Sequence, residues 1–173
     1  MKFLLITILF LMIGCTNAKT KDTYEGCDVK YTKISLKVKD DFRIVSKSCN
    51  EENPVVINYL EGGDQKIFIN KYDINIGKWL PKLEAVSVYK KDNQRPLLIT
   101  LHTQVWDSPT VNGILYNVNL YEIYLTGKRV RLVDISNILG NSQSGLEGVS
   151  DDYMHFKFKD IATIKKWLDK NYK

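Results

Sequence analysis

Leu97-Leu98-Ile99-Thr100-Leu101-His102-Thr103-Gln104-Val105-Trp106, followed by Asp107-Ser108-Pro109-Thr110-Val111-Asn112-Gly113 and then Ile114-Leu115-Tyr116-Asn117-Val118-Asn119-Leu120, decides the fold class. Leu97, Ile99, Leu101, Thr103 and Val105 recur at every second position, the spacing that places side chains on one face of a strand. The middle segment is rich in residues that favour a turn. Ile114, Tyr116, Val118 and Leu120 then alternate again, so the two runs read as an antiparallel hairpin. After Leu120 the apolar set becomes Tyr121, Ile123 and Leu125, a one-residue phase change that predicts a β-bulge.

The same signature extends in both directions. Val55 to Leu60 and Lys66 to Tyr72 flank Glu61-Gly62-Gly63-Asp64, a hairpin signal because glycine reaches positive φ without strain. Leu83 to Tyr89 precedes a loop at Lys90 to Pro96. From Lys33, Ile34, Leu36 and Val38 share one face, with Lys33, Ser35, Lys37 and Lys39 on the other. On the C-terminal side, Val130 to Ile135 reads as a strand and Ser136 to Leu139 as one helical turn ended by Gly140. Gly140 to Asp152 has no periodicity and reads as the longest irregular loop. Met154, Phe156 and Phe158 alternate with His155, Lys157 and Lys159. Asp160 is a good N-cap for a last helix whose Ile161, Ile164, Trp167, Leu168 and Tyr172 fall on one face. The class is mainly β (α+β): an antiparallel meander of about eight to ten strands with one C-terminal amphipathic helix.

The N-terminus carries an address. Lys2 precedes the apolar run Phe3 to Ile13, too short to span a bilayer, and small residues follow, as in a secretory signal over residues 1–18. Two cleavages compete. Leu11-Met12-Ile13-Gly14-Cys15 resembles the lipobox of bacterial lipoproteins, which implies cleavage before Cys15 and its lipidation. Thr16-Asn17-Ala18 fits ordinary cleavage after Ala18. Residues 19–26 read as a short polar tether and 27–173 as one globular β domain, about 155 residues remaining after processing, a normal size for a single core.

Either cleavage leaves Cys27 and Cys49, an even number in an oxidising compartment, and they are expected to be bonded. A Cys-dependent nucleophile is then excluded, since a disulfide sulfur is no thiolate. The formal charge of +5 is mild and spread, which argues against nucleic acid as a partner. Its one local concentration, Lys30, Lys33, Lys37 and Lys39, reads as a charge-protected edge strand, with attraction to anionic head groups as the other reading. Hydrophobic residues at 44% and charged residues at 26% place the chain among globular proteins and not disordered ones.

No catalytic set stands out. His102 and His155 are the two histidines, without HxH or HxxxH pairing, and read as ordinary strand residues. No GxSxG elbow occurs. Asp73 to Glu84 lacks the glycine that a calcium loop needs. Hence no catalytic residue, metal or cofactor is expected. Trp79, Tyr89 and Trp106, each beside a turn, are the aromatics suited to anchor an interface.

The ending Tyr153-Met154-His155-Phe156-Lys157-Phe158-Lys159-Asp160-Ile161-Ala162-Thr163-Ile164-Lys165-Lys166-Trp167-Leu168, together with the overall plan, resembles small exported immunity-type proteins and lipoproteins of Gram-negative bacteria. The resemblance implies a non-enzymatic protein, periplasmic or lipid-anchored to the envelope, that binds a protein partner and neutralises an envelope-targeted toxin. Membrane contact is then expected only through the N-terminal anchor. Such proteins plug a toxin's cleft, which makes Gly140 to Asp152 the candidate element, with Glu147, Asp151 and Asp152 as its acidic group. The alternative reading is a structural or accessory envelope lipoprotein.

Overall fold

The computed structural model describes residues 27–36, 42–49, 55–73 and 81–173. The signal segment with Cys15, the tether, Lys37, Lys39 and Trp79 lie outside the described residues.

Among the described residues, ten antiparallel strands form two sheets. In the first, β1 (Cys27–Ile34), β2 (Phe42–Cys49), β3 (Val55–Gly62) and β4 (Gln65–Asp73) lie in chain order. The second contains β5 (Lys82–Tyr89), β6 (Leu97–Asp107), β7 (Val111–Thr126), β8 (Arg129–Asp134), β9 (Ser144–Ser150) and β10 (Asp152–Met154). Its order is β10-β9-β7-β6-β5, with β8 pairing the rest of β7. A 3₁₀ segment, Ser136–Ser142, joins β8 to β9, and α1 (Ile161–Asn171) ends the chain.

Cys27 stands opposite Cys49 in the β1–β2 ladder, and the two are bonded across a sequence separation of 22. Closing that loop removes about 3 kcal/mol of chain entropy from the unfolded state. The strand begins at Cys27, earlier than the Lys33 start that alternation indicated. Lys30 and Lys33 sit exposed on it, at the edge of the sheet, where charge deters unwanted pairing. At the other hairpin Gly62 pairs with Gln65 around Gly63, whose φ of 58 suits glycine.

The molecule has three layers, and β7 shows why. Leu97, Ile99, Leu101, Val118 and Leu120 pack beneath α1 with Ile164, Leu168 and Phe158. Their neighbours Leu98, Tyr121 and Ile123 face the first sheet and meet Phe42, Ile44 and Leu60. Both faces of the second sheet are therefore buried at its centre. The β6–β7 register runs unbroken from Leu97↔Glu122 to Asp107↔Asn112, so β7 contains no bulge. The phase change after Leu120 marks a switch in which face carries the apolar residues. Ladder irregularities fall instead at Asn58/Tyr59 and Leu83/Ala85.

On its other edge β7 pairs with β9 as far as Asn117 and with β8 from Tyr121. The 3₁₀ segment closes the gap. Val118 N–H donates to the Gln143 carbonyl at 2.8 Å, and Leu120 N–H to Ser136 Oγ at 2.9 Å. Buried backbone groups need such partners. Asp160 caps α1 by accepting from Thr163 N–H at 2.7 Å. Lys91 Nζ donates to the Asp169 and Tyr172 carbonyls at the helix end.

Candidate protein-binding surface

Gly140 to Asp152 is not an irregular loop. It supplies the end of the 3₁₀ segment, all of β9 and the turn into β10. Alternation failed there because glycines occupy positions where side chains cannot fit. A Cβ on Gly148 would come within 2.6 Å of the Gly113 Cα and 2.2 Å of the Asn112 carbonyl oxygen. One on Gly145 would strike the Phe156 ring at 2.4 Å.

Beyond the edge of the core, the ladders align three cross-strand rows. Val105, Ile114 and Glu147 form one. Trp106, Gly113, Gly148 and Met154 form the next, and Asp107, Asn112, Val149 and Tyr153 the last. Successive rows point to opposite faces. Val105, Ile114, Val149 and Tyr153 share the helix-side face, and all four are exposed, Tyr153 at 58%. Met154, 49% exposed, and half-buried Trp106 lie on the other face. The Trp106 Nε1 is buried without an acceptor.

This tip is acidic as well as apolar. Between Arg95 and Lys128, and again between Arg131 and Lys157, the sequence contains no lysine or arginine. Asp107 sits on one turn, and Asp151 and Asp152 lie exposed on the other, with Asp151 at φ 61.

Glu147 has a different role from theirs. Its carboxylate accepts from Phe156 N–H at 2.8 Å and pairs with Lys159 at 3.0 Å and His155 at 3.4 Å. The backbone hydrogen bond, then Lys159, hold its pKa below the usual carboxylate range. It clasps residues 155–159 onto β9, so that Phe156 stacks on Tyr116 at 5.6 Å. His155 lies just past β10, not within a strand.

Tyr89 is a core residue, only 4% exposed, and lies outside this surface. Its hydroxyl donates to Asp169 on α1 at 2.9 Å, and burial pushes its pKa up to about 12. The tip thus gathers Trp106, Asp151 and Asp152 from the sequence-derived set. It adds Val105, Ile114, Val149, Tyr153 and Met154, which sequence reasoning missed. Pairing Gly113 with Gly148 was the signal that would have revealed them.

Between the sheets lies a second polar cluster. Asn58, 0% exposed, donates through Nδ2 to Asn70 Oδ1 at 2.7 Å and contacts His102 Nε2 at 3.0 Å. Tyr72 Oη contacts His102 Nδ1 at 3.3 Å, and the Oδ1 atoms of Asn117 and Asn119 both stand within reach to accept its single proton. Asn70 Nδ2 reaches Asn119 and Tyr121. Burial lowers the His102 pKa to about 4 and raises those of Tyr72 and Tyr121. Most of these groups satisfy one another between the sheets, the exception being the Asn58 Oδ1, which is buried without a donor. Among the described residues, no three His, Cys, Asp or Glu side chains converge as metal ligands, and no helix is long and apolar enough to cross a membrane.

Comparison with protein-family models, curated proteins and solved structures finds no match for this chain.

Proposed function

We propose that this chain is an exported, non-enzymatic binding protein of the bacterial envelope, an immunity-type inhibitor whose contact surface is the tip of the second sheet. The observation that carries this reading is the arrangement of Val105, Ile114, Val149 and Tyr153 on one exposed face, beside Asp107, Asp151 and Asp152, with Lys159 held in an ion pair by Glu147 at its margin. Rigid strands hold this surface, which lowers the entropy lost on binding. An aromatic and aliphatic centre with a charged rim is the usual anatomy of a protein interface. The partner that fits is a protein with an apolar cleft rimmed by basic residues. The signal segment and the Cys27–Cys49 bond support export.

Pull-down from an envelope extract, or co-expression with the product of a neighbouring toxin gene, should yield a stable complex. Tyr153→Ala combined with Val149→Asp should weaken it at least tenfold. Asp151→Asn with Asp152→Asn should cause a smaller loss and flatten the salt dependence. Unchanged affinity in both variants would move the site off this tip. An absence of any envelope partner would favour the accessory lipoprotein reading. Lipidation at Cys15 is checked separately: Cys15→Ser should abolish fatty-acid labelling and release the protein from the membrane fraction.

A further inference from the structure

We propose that the outer face of the first sheet, at its β3–β4 hairpin end, is a docking surface for an anionic lipid bilayer. Ile44 and Leu60 point inward to the core, so their neighbours along the strands point outward. Two outward rows lie side by side. One is Tyr31, Val45, Tyr59 and Phe68, in which Val45 is itself only 1% exposed; the next is Lys33, Arg43, Glu61 and Lys66. Tyr31 is 57% exposed and Phe68 56%. The Arg43 guanidinium lies 4.6 Å from the Tyr31 ring centroid, and Lys66 Nζ 4.6 Å from that of Tyr59. Glu61, the single carboxylate of these rows, pairs with Arg43 at 3.3 Å and Lys66 at 3.9 Å. In these two rows three cations outweigh one anion, and Asp64 at the hairpin turn adds a second carboxylate beside them, leaving a net excess of one cation. Lys33, Arg43 and Lys66 also border a cleft of about 550 Å³ that reaches Gly62 and Phe42. A Cβ at Gly62 would lie 2.5 Å from the Phe42 ring, so only glycine fits there.

Cations attract anionic head groups, and tyrosine favours the membrane–water boundary. The chain outside the described residues selects this occupant over a soluble polyanion. From Cys15 to Cys27, where β1 begins, roughly 12 residues of extended chain reach about 40 Å. The 8 residues of β1 span only about 26 Å. An anchor at Cys15 can thus lay the whole strand along the bilayer, and a basic patch beside a lipid anchor is a two-signal attachment. This inference rests on the envelope location and the Cys15 anchor in the proposed function but not on the partner at the sheet tip.

The test uses the full chain carrying Cys15→Ser, purified from the periplasm, so that no acyl chain contributes. It is co-sedimented with pure phosphatidylcholine vesicles and with vesicles containing one quarter phosphatidylglycerol. We expect binding to the anionic vesicles alone, lost at high salt. Each cation removed should cost about fivefold, the equivalent of about 1 kcal/mol. Lys33→Gln with Lys66→Gln should then weaken binding about 25-fold, whereas Glu61→Gln should tighten it about fivefold. Tyr31→Ala with Phe68→Ala should weaken binding at both salt levels. Equal binding to the two vesicle types, no binding to either, or indifference to the lysine pair would overturn the proposal. A sheet-tip variant that loses the protein partner but keeps vesicle binding separates this surface from the proposed function.

Discussion

His102 is the residue whose chemistry is most altered by folding. It is 1% exposed with its pKa near 4, against an ordinary value of 6.5. A histidine held neutral in the native state binds its proton more readily when unfolded. Stability is therefore complete above pH 6.5 and falls as the pH drops toward 4, by up to about 3 kcal/mol. Urea unfolding at neutral and acid pH should show this loss, and His102→Asn should remove most of the pH dependence between those limits. A wild-type stability flat across that range would mean that the ring is protonated, or hydrated, inside the fold. Gly148 makes a second residue-scale test. At φ 154 and with the Asn112 carbonyl 2.2 Å from a built Cβ, Gly148→Ala should cost more than about 2 kcal/mol. Gly127, at φ 60 with open space around it, should lose only about 1 kcal/mol on the same change. Equal melting temperatures for the two variants would contradict the close approach.

At the scale of elements, Glu147 joins the second sheet to the segment that leads into α1. Glu147→Gln keeps the shape and removes the charge. We expect faster hydrogen exchange at the Phe156 amide and a lower melting temperature. Because folding lowers the Glu147 pKa, its contribution is present above its ordinary value near 4.5 and fades as the pH falls through the folded pKa. The β1–β2 disulfide is a further element-scale constraint. Native mass spectrometry should show a two-hydrogen difference on reduction, and Cys27→Ala with Cys49→Ala should cost about 3 kcal/mol. Free thiols in the exported protein would refute the bond. Elements of this kind were unequally legible. The hairpins around Gly62-Gly63 and Asp107 to Gly113, the cap at Asp160 and the apolar stripe of α1 were all written in local periodicity. β9 was not, since Gly145 and Gly148 answer to Phe156 and Gly113, residues distant in sequence. The false bulge in β7 has a related cause. Period-two patterns assume one buried face, and this strand buries two.

At the scale of the whole molecule, the basic patch around Lys33, Arg43 and Lys66 and the acidic tip lie on different sheets. The face with Lys33, Arg43 and Lys66 belongs to the four-stranded sheet, and the face with Asp107, Asp151 and Asp152 to the six-stranded one. Effects of substitutions at the two should add, because distant sites without shared partners are nearly independent. Combining Lys33→Gln and Lys66→Gln with Tyr153→Ala should leave each binding loss at its single-site value. Strong coupling between them would point to one continuous surface. Neither surface was legible as such in the sequence: each is assembled by register from three or four strands, and only their charges could be counted in advance.

The polar layer between the sheets has one more consequence. Apolar side chains would tolerate many ways of stacking one sheet on the other, since methyl groups carry no directional preference. The partners of Asn58, Asn70, Tyr72, His102 and Asn119 do not. A slide of one sheet by a single residue pair would strand these amides and the imidazole opposite Leu and Ile, at a cost of a few kcal/mol for each orphaned group. The layer therefore acts as a key that admits one docking of the two sheets. Filling it with isosteric apolar residues would leave stability equal or greater while loosening that uniqueness.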